Sequence, residues 1–375
     1  MNATFHNATI FTGSELLPNM SVHINYGRIL AISYGVLDGE HIVDLQGNYL
    51  LPGFVDLQLY GGSQQYLNEH PTAETVRHIY ETHRKNGTTS VVPTLYSTSH
   101  QVILRAIEAV RTVQRENPFG VLGLHVEGPY INPEKRGAHS LNYVRQPNDS
   151  ELGELFDQGA DVIKLLTIAP EIFSEEQLDK LFNLANSTST LLSLGHSNAT
   201  YQQATNAFNS GIPLATHLYN AMRGFESREP VTIGAIFDHP SVRASLIADG
   251  FHCDPVAIRI AHRQLGNRLF LISDATFANP PRPELAYEDF IIRYENDRYT
   301  NQEGKLAGSS ITLLDAVKVC VDKAGLPLTE ALRMASTTPA EIIGAATTLG
   351  RVQTGYVANL VVLDQALSVQ RVITA

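Results

Sequence analysis

Between residues 54 and 273 the chain alternates strand-type and helix-type segments, and this alternation restricts the fold more than any other feature. Short apolar runs with high β propensity are followed by stretches with helical spacing, and we count eight such runs. This pattern is typical of parallel strands joined by helical crossovers, and eight repeats predict a (β/α)₈ TIM barrel. The predicted strands are Phe54–Tyr60, Thr89–Leu95, Val121–Val126, Val162–Ile168, Leu191–Leu194, Pro213–Thr216, Ala244–Ala248 and Leu269–Ser273.

The helix-type segments carry recognisable boundaries. Ser174 begins one of them, and Gln177 three residues later completes a predicted capping box. Residues 277–305 break the alternation, because this segment is rich in proline, tyrosine and charged residues, and it predicts a β-hairpin or lid inserted after the last strand. The clearest predicted helices are Thr72–Asn86, Ser99–Arg115, Ser174–Leu184, Ile311–Ala324 and Thr329–Ile343.

Both ends of the chain lack helical spacing and predict short strands separated by turns. A typical barrel needs about 250 residues, so a chain of 375 residues leaves room for a second domain. We predict a small β-sandwich domain from residues 1–50 and 350–375, with the barrel over residues 51–349. Turns are expected at Gly27 and at Asp38-Gly39. The predicted strands are Thr4–Phe11, Met20–Tyr26, Arg28–Tyr34, His41–Asp44, Ala358–Leu363 and Val369–Ile373.

The charge and the cysteine content exclude several classes of protein. A formal net charge of −11 argues against a surface for nucleic acid or for anionic membranes, since both need clustered lysine and arginine. The two cysteines, Cys253 and Cys320, exclude a disulfide scaffold at this size and fit a reducing compartment. No basic segment followed by an apolar stretch opens the chain, and no apolar run reaches the ~18 residues of a membrane span. These features predict a cytoplasmic protein.

Polar side chains stand where four predicted strands end: Glu127, His196, His217 and Asp274. In a parallel barrel the C-terminal ends of all strands meet at one face, where active sites are built. A lone histidine at a strand end is more often a structural hydrogen-bonding group, but two imidazoles and a carboxylate that converge form a common catalytic Zn²⁺ set. The sequence therefore predicts one divalent ion bound by Glu127, His196 and His217, with Zn²⁺ favoured and Fe²⁺, Co²⁺ or Mn²⁺ as alternatives.

Asp274 ends the last predicted strand and has two interpretations. It can accept a proton from water and later donate it to a leaving group, because a nearby metal lowers the pKa of water to about 7 and a carboxylate can complete the deprotonation. Alternatively, Asp274 is the N-cap of a helix, since Ala275 and Thr276 follow it.

The roles of several loop residues stay open on the residues alone. His139 and His252 are either site residues or solvated loop histidines. Arg228 either binds an anionic ligand or pairs with Glu229. The pair Lys135-Arg136 is expected at the solvated surface.

Seven short strings, in order along the chain, resemble the amidohydrolase superfamily and within it the N-acetylglucosamine-6-phosphate deacetylase family. Together they run from residue 51 to residue 310, and the segment from 350 to 360 fits the superfamily's return to its small domain. The strings are Leu51–Asp56 (LPGFVD), His125–Pro129 (HVEGP), Gly195–Thr200 (GHSNAT), Thr216–Met222 (THLYNAM), Ile247–His252 (IADGFH), Ser273–Thr276 (SDAT) and Leu306–Ser310 (LAGSS).

This resemblance implies hydrolysis of the N-acetyl group of N-acetylglucosamine-6-phosphate to glucosamine-6-phosphate and acetate, in amino-sugar catabolism. It implies that Asp274 is the general base and then the general acid, and that His139 helps a single metal polarise the acetamide carbonyl. It also implies a homodimer, since in this family Arg228 and His252 reach the 6-phosphate from a neighbouring subunit. The implied contacts with the sugar or acetyl group are Ala138, Asn220, Ala221, Leu306, Ala307 and Gly308.

The first barrel strand departs from the superfamily pattern. Binuclear amidohydrolases carry His-x-His there, whereas this chain has Gln58 and Tyr60, which argues against a second metal. The departure keeps two alternatives open. One is a deacetylase or deaminase for another substrate, such as N-acetylgalactosamine-6-phosphate, and the other is a catalytically silent barrel that serves as a scaffold.

Overall fold

A computed structural model describes residues 2–35 and 41–375, so the turn predicted at Asp38-Gly39 lies outside the described residues. Eight parallel strands form one sheet in the order β13-β12-β11-β10-β9-β8-β7-β6, which confirms the predicted barrel. Its strands are β6 (Phe54–Leu59), β7 (Thr88–Leu95), β8 (Leu124–Glu127), β9 (Ile163–Ile168), β10 (Leu191–Leu194), β11 (Leu214–Ala215), β12 (Arg243–Ile247) and β13 (Leu269–Ile272).

Helices follow the barrel strands and cover their outer faces with apolar side chains. The capping box predicted at Ser174 is present, because the Ser174 hydroxyl accepts from the Gln177 N–H while the Gln177 side chain accepts from the Ser174 N–H. The helices are α1 (Ala73–Arg84), α2 (His100–Glu116), α3 (Asp149–Gly159), α4 (Glu175–Thr188), α5 (Tyr201–Ser210), α6 (Val231–Asp238), α7 (Pro255–Leu265), α8 (Leu313–Lys318), α9 (Leu328–Ala335) and α10 (Thr337–Ile342).

Strands from both ends of the chain pair in a second sheet of seven strands. Its order is β18-β17-β5-β1-β2-β3, with β4 beside β1. Because β5 pairs with β17, residues 51 and 52 belong to this sheet and not to the barrel. The strands are β1 (Ala3–Phe11), β2 (Leu16–Asn25), β3 (Arg28–Tyr34), β4 (Ile42–Asp44), β5 (Tyr49–Pro52), β17 (Leu360–Leu363) and β18 (Val369–Ile373).

The segment after the last barrel strand forms a three-stranded antiparallel sheet. Its strands are β14 (Glu284–Tyr287), β15 (Phe290–Glu295) and β16 (Arg298–Asn301), so the predicted insertion of β structure is confirmed. Its buried aromatic side chains pack against Tyr66 and Tyr96 of the barrel loops, which places this sheet over one side of the barrel mouth.

Two predicted helices were wrong in extent. The helix predicted over Thr329–Ile343 is two helices, α9 and α10, that meet at Ser336. Pro339 has no N–H to donate to the carbonyl one turn before it, so the hydrogen-bond ladder of a continuous helix is interrupted there. The helix predicted over Ile311–Ala324 begins later, after the N-cap Thr312, and its last part is a π-helical turn over Val319–Lys323.

The barrel closes between its first and last strands, β6 and β13, through backbone groups and one buried side chain. The Asp274 N–H donates to the Gln58 carbonyl at 2.9 Å, and the Tyr60 N–H donates to the Ala275 carbonyl at 2.8 Å. The Asp56 carboxyl group accepts from the N–H groups of Ser273 and Gln58, each at 3.2 Å. This seam sets the ends of the two strands side by side at the mouth of the barrel.

We predict that Asp56 makes stability depend on pH. Burial raises the pKa of Asp56 to about 7, whereas an unfolded aspartate titrates near 3.9. The stabilisation is therefore fully present below about pH 4 and is lost as pH rises through about 7. Asp56→Asn keeps an acceptor oxygen and stays neutral at every pH. The difference in free energy of unfolding, variant minus wild type, should therefore rise by roughly 1–4 kcal/mol between pH 4 and 7.

Urea unfolding at several pH values from 4 to 8 measures this difference. The exposed Asp179→Asn substitution on α4 is the control and should give a difference that does not change over this range. A constant offset between Asp56→Asn and the wild type at every pH would contradict the prediction.

Candidate active site

A cavity of about 350 Å³ opens at the C-terminal ends of the barrel strands. Most of the residues predicted to form the site line it, and the lining as a whole comes from the ends of seven barrel strands and the segments that follow them. The lining residues are Tyr60, Tyr96, Glu134, Lys135, Gly137, Ala138, His139, His196, His217, Asn220, Ala221, Met222, Ile247, His252, Asp274, Lys305, Leu306 and Gly308.

Two of the predicted metal ligands, His196 and His217, line this cavity, and the third, Glu127, is fully buried in contact with both. The Nε2 atoms of His196 and His217 lie 3.0 Å apart, and the Oε1 atom of Glu127 lies 3.3 Å from the first and 3.1 Å from the second. All three side chains are buried. Among the described residues they are the one group of three or more whose ligand atoms lie this close together and could bind a metal ion.

The backbone turns sharply where these side chains leave their strands. His196, His217 and Asp274 have φ values of 51°, 35° and 55°, in the left-handed region that residues other than glycine rarely occupy. Such conformations are retained only where the surrounding structure holds them, and they cluster at functional sites. Here the turns are held by the adjacent strands, as in the 2.7 Å hydrogen bond from the His217 N–H to the Ser245 hydroxyl.

The hydrogen bonds of His196 fit metal ligation. Its Nδ1 atom lies 2.9 Å from the Lys135 carbonyl, which can only accept, so Nδ1 carries the proton and donates. The neutral ring then presents a lone pair at Nε2 toward Glu127 and His217. Two imidazole nitrogens and one carboxylate oxygen are a donor set that suits a catalytic divalent ion, with room left for water.

His139 presents its ring to the same cavity from the loop after β8. Its Nδ1 atom accepts the Ser97 N–H at 3.1 Å, so the proton of the neutral ring is on Nε2. Burial lowers the pKa of His139 to about 4, which favours the neutral ring. The Nε2 atom is 3.4 Å from Glu127 Oε2, but the geometry is not that of a hydrogen bond. His139 therefore offers a buried N–H donor to a ligand.

Asp274 and Glu127 are two buried carboxyl groups with opposite pKa shifts. Burial raises the pKa of Asp274 well above its ordinary value, and the charge of Glu127 raises it further. Burial would also raise the pKa of Glu127, but contacts with His139, His196 and His217 outweigh it and hold that pKa well below the usual range. One group stays ionised as a ligand while the other can take a proton, which is the usual division of roles in acid–base catalysis.

Gln58 and Tyr60 connect these two carboxyl groups. The Tyr60 hydroxyl lies 2.6 Å from Glu127 Oε2 and 3.0 Å from Asp274 Oδ1. The Gln58 amide nitrogen lies 2.9 Å from Glu127 Oε1 and 2.9 Å from Asp274 Oδ1. The sequence identified these positions as a departure from the His-x-His pattern, but it did not indicate this network.

The remaining predicted site residues divide into three groups. Ala138, Asn220, Ala221, Leu306, Gly308 and His252 line the cavity. Ala307 is fully buried, and its carbonyl accepts the Thr276 hydroxyl at 2.8 Å. Arg228 is exposed on the segment before α6 and is not part of the cavity lining.

His252 is held by an acidic neighbour. Its Nδ1 atom lies 2.7 Å from Asp249 Oδ2. Burial would raise the pKa of Asp249, but the hydrogen bond and the charge of His252 hold it below its ordinary value. This contact fixes the orientation of the His252 ring at the cavity wall.

The expectation that Lys135-Arg136 lies at the solvated surface was wrong. Lys135 lines the cavity, and its carbonyl orients His196. The Arg136 guanidinium donates to the His139 carbonyl at 2.9 Å and pairs with Glu303. A charged pair beside a glycine gives no local signal of the contacts with His196 and Glu303, because those residues are distant in the sequence. The contact with His139, three residues away, depends on how the loop folds.

Comparisons with known proteins identify the family of the chain. The amidohydrolase family pattern matches residues 49–375. The chain belongs to the amidohydrolase family. It is 35% identical over 363 residues to N-acetylglucosamine-6-phosphate deacetylase of Haemophilus influenzae, covering 95% of this chain and 93% of the relative. It is 32% identical over 364 residues to N-acetylgalactosamine-6-phosphate deacetylase of a Shewanella species, covering 95% and 91%.

Solved structures of this part of the amidohydrolase family superpose closely. The crystal structure of N-acetylglucosamine-6-phosphate deacetylase from Pasteurella multocida has a TM-score of 0.94 at 31% identity, with 100% of this chain and 98% of that chain covered. The Mycobacterium smegmatis deacetylase, as a variant in complex with N-acetyl-D-glucosamine-6-phosphate, has a TM-score of 0.91 at 28% identity, with the same shares covered. The amidohydrolase family is metal-dependent, and the Glu127, His196 and His217 cluster could bind one metal ion.

No helix in residues 2–35 and 41–375 combines the length and the apolar character needed to traverse a bilayer.

We predict that a divalent ion stabilises this amidohydrolase through the cluster. An ion that binds only the folded state at 100 times its dissociation constant adds about 2.7 kcal/mol of stability. Adding Zn²⁺ to metal-free protein should therefore raise Tm, and elemental analysis should find one ion per chain. In His217→Ala the rise and the bound ion should both disappear, whereas His100→Ala, on α2, should behave as the wild type. A wild-type chain that takes up no metal would favour the silent barrel.

Proposed function

We propose that this protein is a metal-dependent deacetylase that hydrolyses the N-acetyl group of N-acetylglucosamine-6-phosphate to glucosamine-6-phosphate and acetate. The observation that carries the proposal is the meeting of Glu127, His196 and His217 with Asp274 and His139 at one cavity. It is supported by relatives of that name that align over 95% of the chain or more, at 29–35% identity. The activity places the protein in amino-sugar catabolism.

Glu127, His196 and His217 would bind one divalent ion, for which we propose Zn²⁺, with Fe²⁺, Co²⁺ or Mn²⁺ as alternatives. When bound, such an ion supplies Lewis-acid polarisation and lowers the pKa of water. The nitrogen-rich donor set with a single carboxylate supports zinc over Mg²⁺ or Ca²⁺, which prefer oxygen ligands.

His139 is the proposed electrophilic partner of the acetamide. Ser97 engages Nδ1, so the proton of the neutral ring is on Nε2. Nε2 has no hydrogen-bond partner among the described residues, and its N–H is therefore available to a ligand in the cavity. The carbonyl oxygen of the acetyl group gains negative charge as water attacks it, and a fixed N–H donor stabilises that charge. One such donor contributes about 10²–10³-fold to the rate.

Asp274 is the proposed proton carrier. The hydrogen bonds of its carboxyl group to other described residues fall on Oδ1, and this leaves Oδ2 for water and substrate. Asp274 takes a proton from the attacking water and delivers it to the amine nitrogen as the C–N bond breaks. Burial raises the pKa of Asp274, so its carboxyl group holds the transferred proton more readily than an ordinary aspartate does.

The proposed sugar site is formed by other residues of the cavity lining. Ala138, Asn220, Ala221, Leu306 and Gly308 line the cavity and would contact the sugar or the acetyl group. Ala307, also implied by the resemblance, is fully buried between Leu306 and Gly308 and would contribute by holding them in place. The resemblance implies that His252 reaches the 6-phosphate from a neighbouring subunit, but His252 lines this chain's own cavity. We therefore propose that it binds the phosphate within the same subunit. Arg228 is exposed and outside the lining, which supports its proposed role as a phosphate ligand donated to a neighbouring subunit.

A homodimer is proposed from the surface that carries Arg228. Phe225 and Ile260 are 57% and 45% exposed, and they line a largely apolar groove between α6 and α7. Val256, 50% exposed, precedes the groove residue Ala257. A second copy seated on this face would cover these side chains and bring Arg228 toward its partner's site. The two buried free cysteines and the phosphorylated substrate fit a cytoplasmic location.

A second candidate substrate is N-acetylgalactosamine-6-phosphate. The Shewanella relative named for that activity is 32% identical over 95% of this chain, close to the value for the Haemophilus relative. Acetate release from the two phosphorylated sugars and from unphosphorylated N-acetylglucosamine, compared as kcat/KM with metal-loaded protein, decides between them.

We predict that Asp274→Asn lowers kcat for the preferred sugar by about 10²–10⁴-fold, because the amide cannot carry the proton. The variant should still bind one metal ion, since Asp274 is not among the three ligands. Metal content by elemental analysis therefore serves as the control. Deacetylation by a metal-loaded Asp274→Asn variant at close to the wild-type rate would refute the assignment.

Mixing subunits that carry different substitutions tests the proposed dimer. Arg228→Ala homodimers should lose most discrimination in favour of phosphorylated substrate, and Asp274→Asn homodimers should be inactive. In a mixed dimer, the Arg228→Ala chain keeps its own Asp274 and receives Arg228 from its partner, so about one intact site per dimer is expected. Co-expressed, differently tagged chains should therefore recover the preference for phosphorylated substrate, measured as the ratio of kcat/KM values. No recovery in purified mixed dimers would contradict the shared site.

A further inference from the structure

The hydroxyl group of Tyr60 lies between the two functional carboxyl groups of the site. It is 2.6 Å from Glu127 Oε2 and 3.0 Å from Asp274 Oδ1. The Gln58 amide donates to the same hydroxyl at 2.8 Å and also reaches Glu127 Oε1 and Asp274 Oδ1. All four side chains are buried. The shortest of these contacts is the one from the phenol to the carboxylate.

We propose that Tyr60 is a positioning residue that ties Glu127 to Asp274 and occupies the place that a second cation would need. The kinetic part of this inference, the expected change in kcat, rests on the proposed function. Its metal-binding part depends only on the cluster of Glu127, His196 and His217.

The two oxygens of Glu127 have separate tasks in this arrangement. Oε1 faces the Nε2 atoms of His196 and His217 at 3.3 and 3.1 Å. Oε2 is engaged by the Tyr60 hydroxyl and points away from those nitrogens. Hydrogen bonds to a ligating carboxylate from outside the metal's own ligands fix its orientation, and their loss commonly lowers metal affinity or activity 10- to 100-fold. Tyr60 therefore sets which oxygen of Glu127 is offered to the ion.

The ring of Tyr60 is fixed firmly enough to hold its hydroxyl in this position. It stacks on Tyr96 with ring centroids 4.1 Å apart and an interplanar angle of 23°. Tyr96 in turn packs edge-on against His139 at 4.5 Å. The Tyr60 backbone is held to the last barrel strand by the hydrogen bond to the Ala275 carbonyl. Only 1% of the residue is exposed.

Electrostatics explain why a donor is needed at this point. Two carboxyl groups that share a buried site repel each other when both are ionised, and either a cation or hydrogen-bond donors must compensate. Tyr60 and Gln58 supply one O–H and two N–H donors there. The phenol oxygen also lies between Glu127 Oε2 and Asp274 Oδ1, so a second ion bound by these two carboxyl groups would have to displace it.

Tyr60→Phe removes the hydroxyl and keeps the stacked ring. We expect metal affinity, measured by competition with a chromophoric zinc chelator, to fall about 10- to 100-fold. With the metal site saturated, kcat should fall by a similar factor while KM changes less than about threefold. Tyr66→Phe is the matched control, because Tyr66 is buried in the same aromatic cluster and makes no contact with Glu127 or Asp274.

A second variant tests the exclusion of a second cation. Gln58→His combined with Tyr60→His removes the phenol and supplies two imidazoles, so elemental analysis should give two ions per chain in place of one. Unchanged metal affinity and kcat in Tyr60→Phe would overturn the positioning role, and so would a change in KM alone. One ion per chain in a folded double variant would overturn the exclusion. Neither metal measurement uses substrate, so a wild type that deacetylates no sugar would refute the proposed function and leave this inference standing.

Discussion

The carboxylate of Glu127 is completely buried, and a buried charge is stable only where it is paired and hydrogen-bonded on all sides. His196 and His217 approach one of its oxygens, while Tyr60 binds the other and Gln58 reaches the first. These neighbours come from three other barrel strands. The site can therefore form only when the barrel is closed, and the geometry available to a metal ion follows from how this one charge is compensated.

The contacts that close the barrel also assemble the site. The seam between the first and last strands sets Tyr60 beside Ala275 and Gln58 beside Asp274 through backbone hydrogen bonds. Asp56 reinforces the seam from within, since its carboxyl group accepts an N–H from each of the two strands. The left-handed turns at His196, His217 and Asp274 then direct side chains over the barrel mouth, and the rigid sheet below holds these uncommon conformations in place.

Much of this could be predicted from the sequence, and the failures have physical reasons. The eight strands were found because apolar runs and helical spacing are local properties, and the metal cluster was found because strand ends of a parallel barrel converge. The break at Ser336 was missed because the apolar spacing continues across it, although Pro339 removes a ladder hydrogen bond. The contacts of Lys135 and Arg136 were missed because their partners, His196, His139 and Glu303, are not adjacent in the sequence.

The sequence by itself determined the class of fold, the order of the strands and the residue types that end them, since each of these depends on periodicity and composition within short segments. Only the tertiary structure decided that Tyr60 and Gln58 join two carboxyl groups 69 and 216 residues away from Gln58. It also decided that Arg228 lies outside the cavity while Lys135 lines it. Hydrogen bonds and burial depend on distances in space, and those distances are settled only when the first strand meets the last.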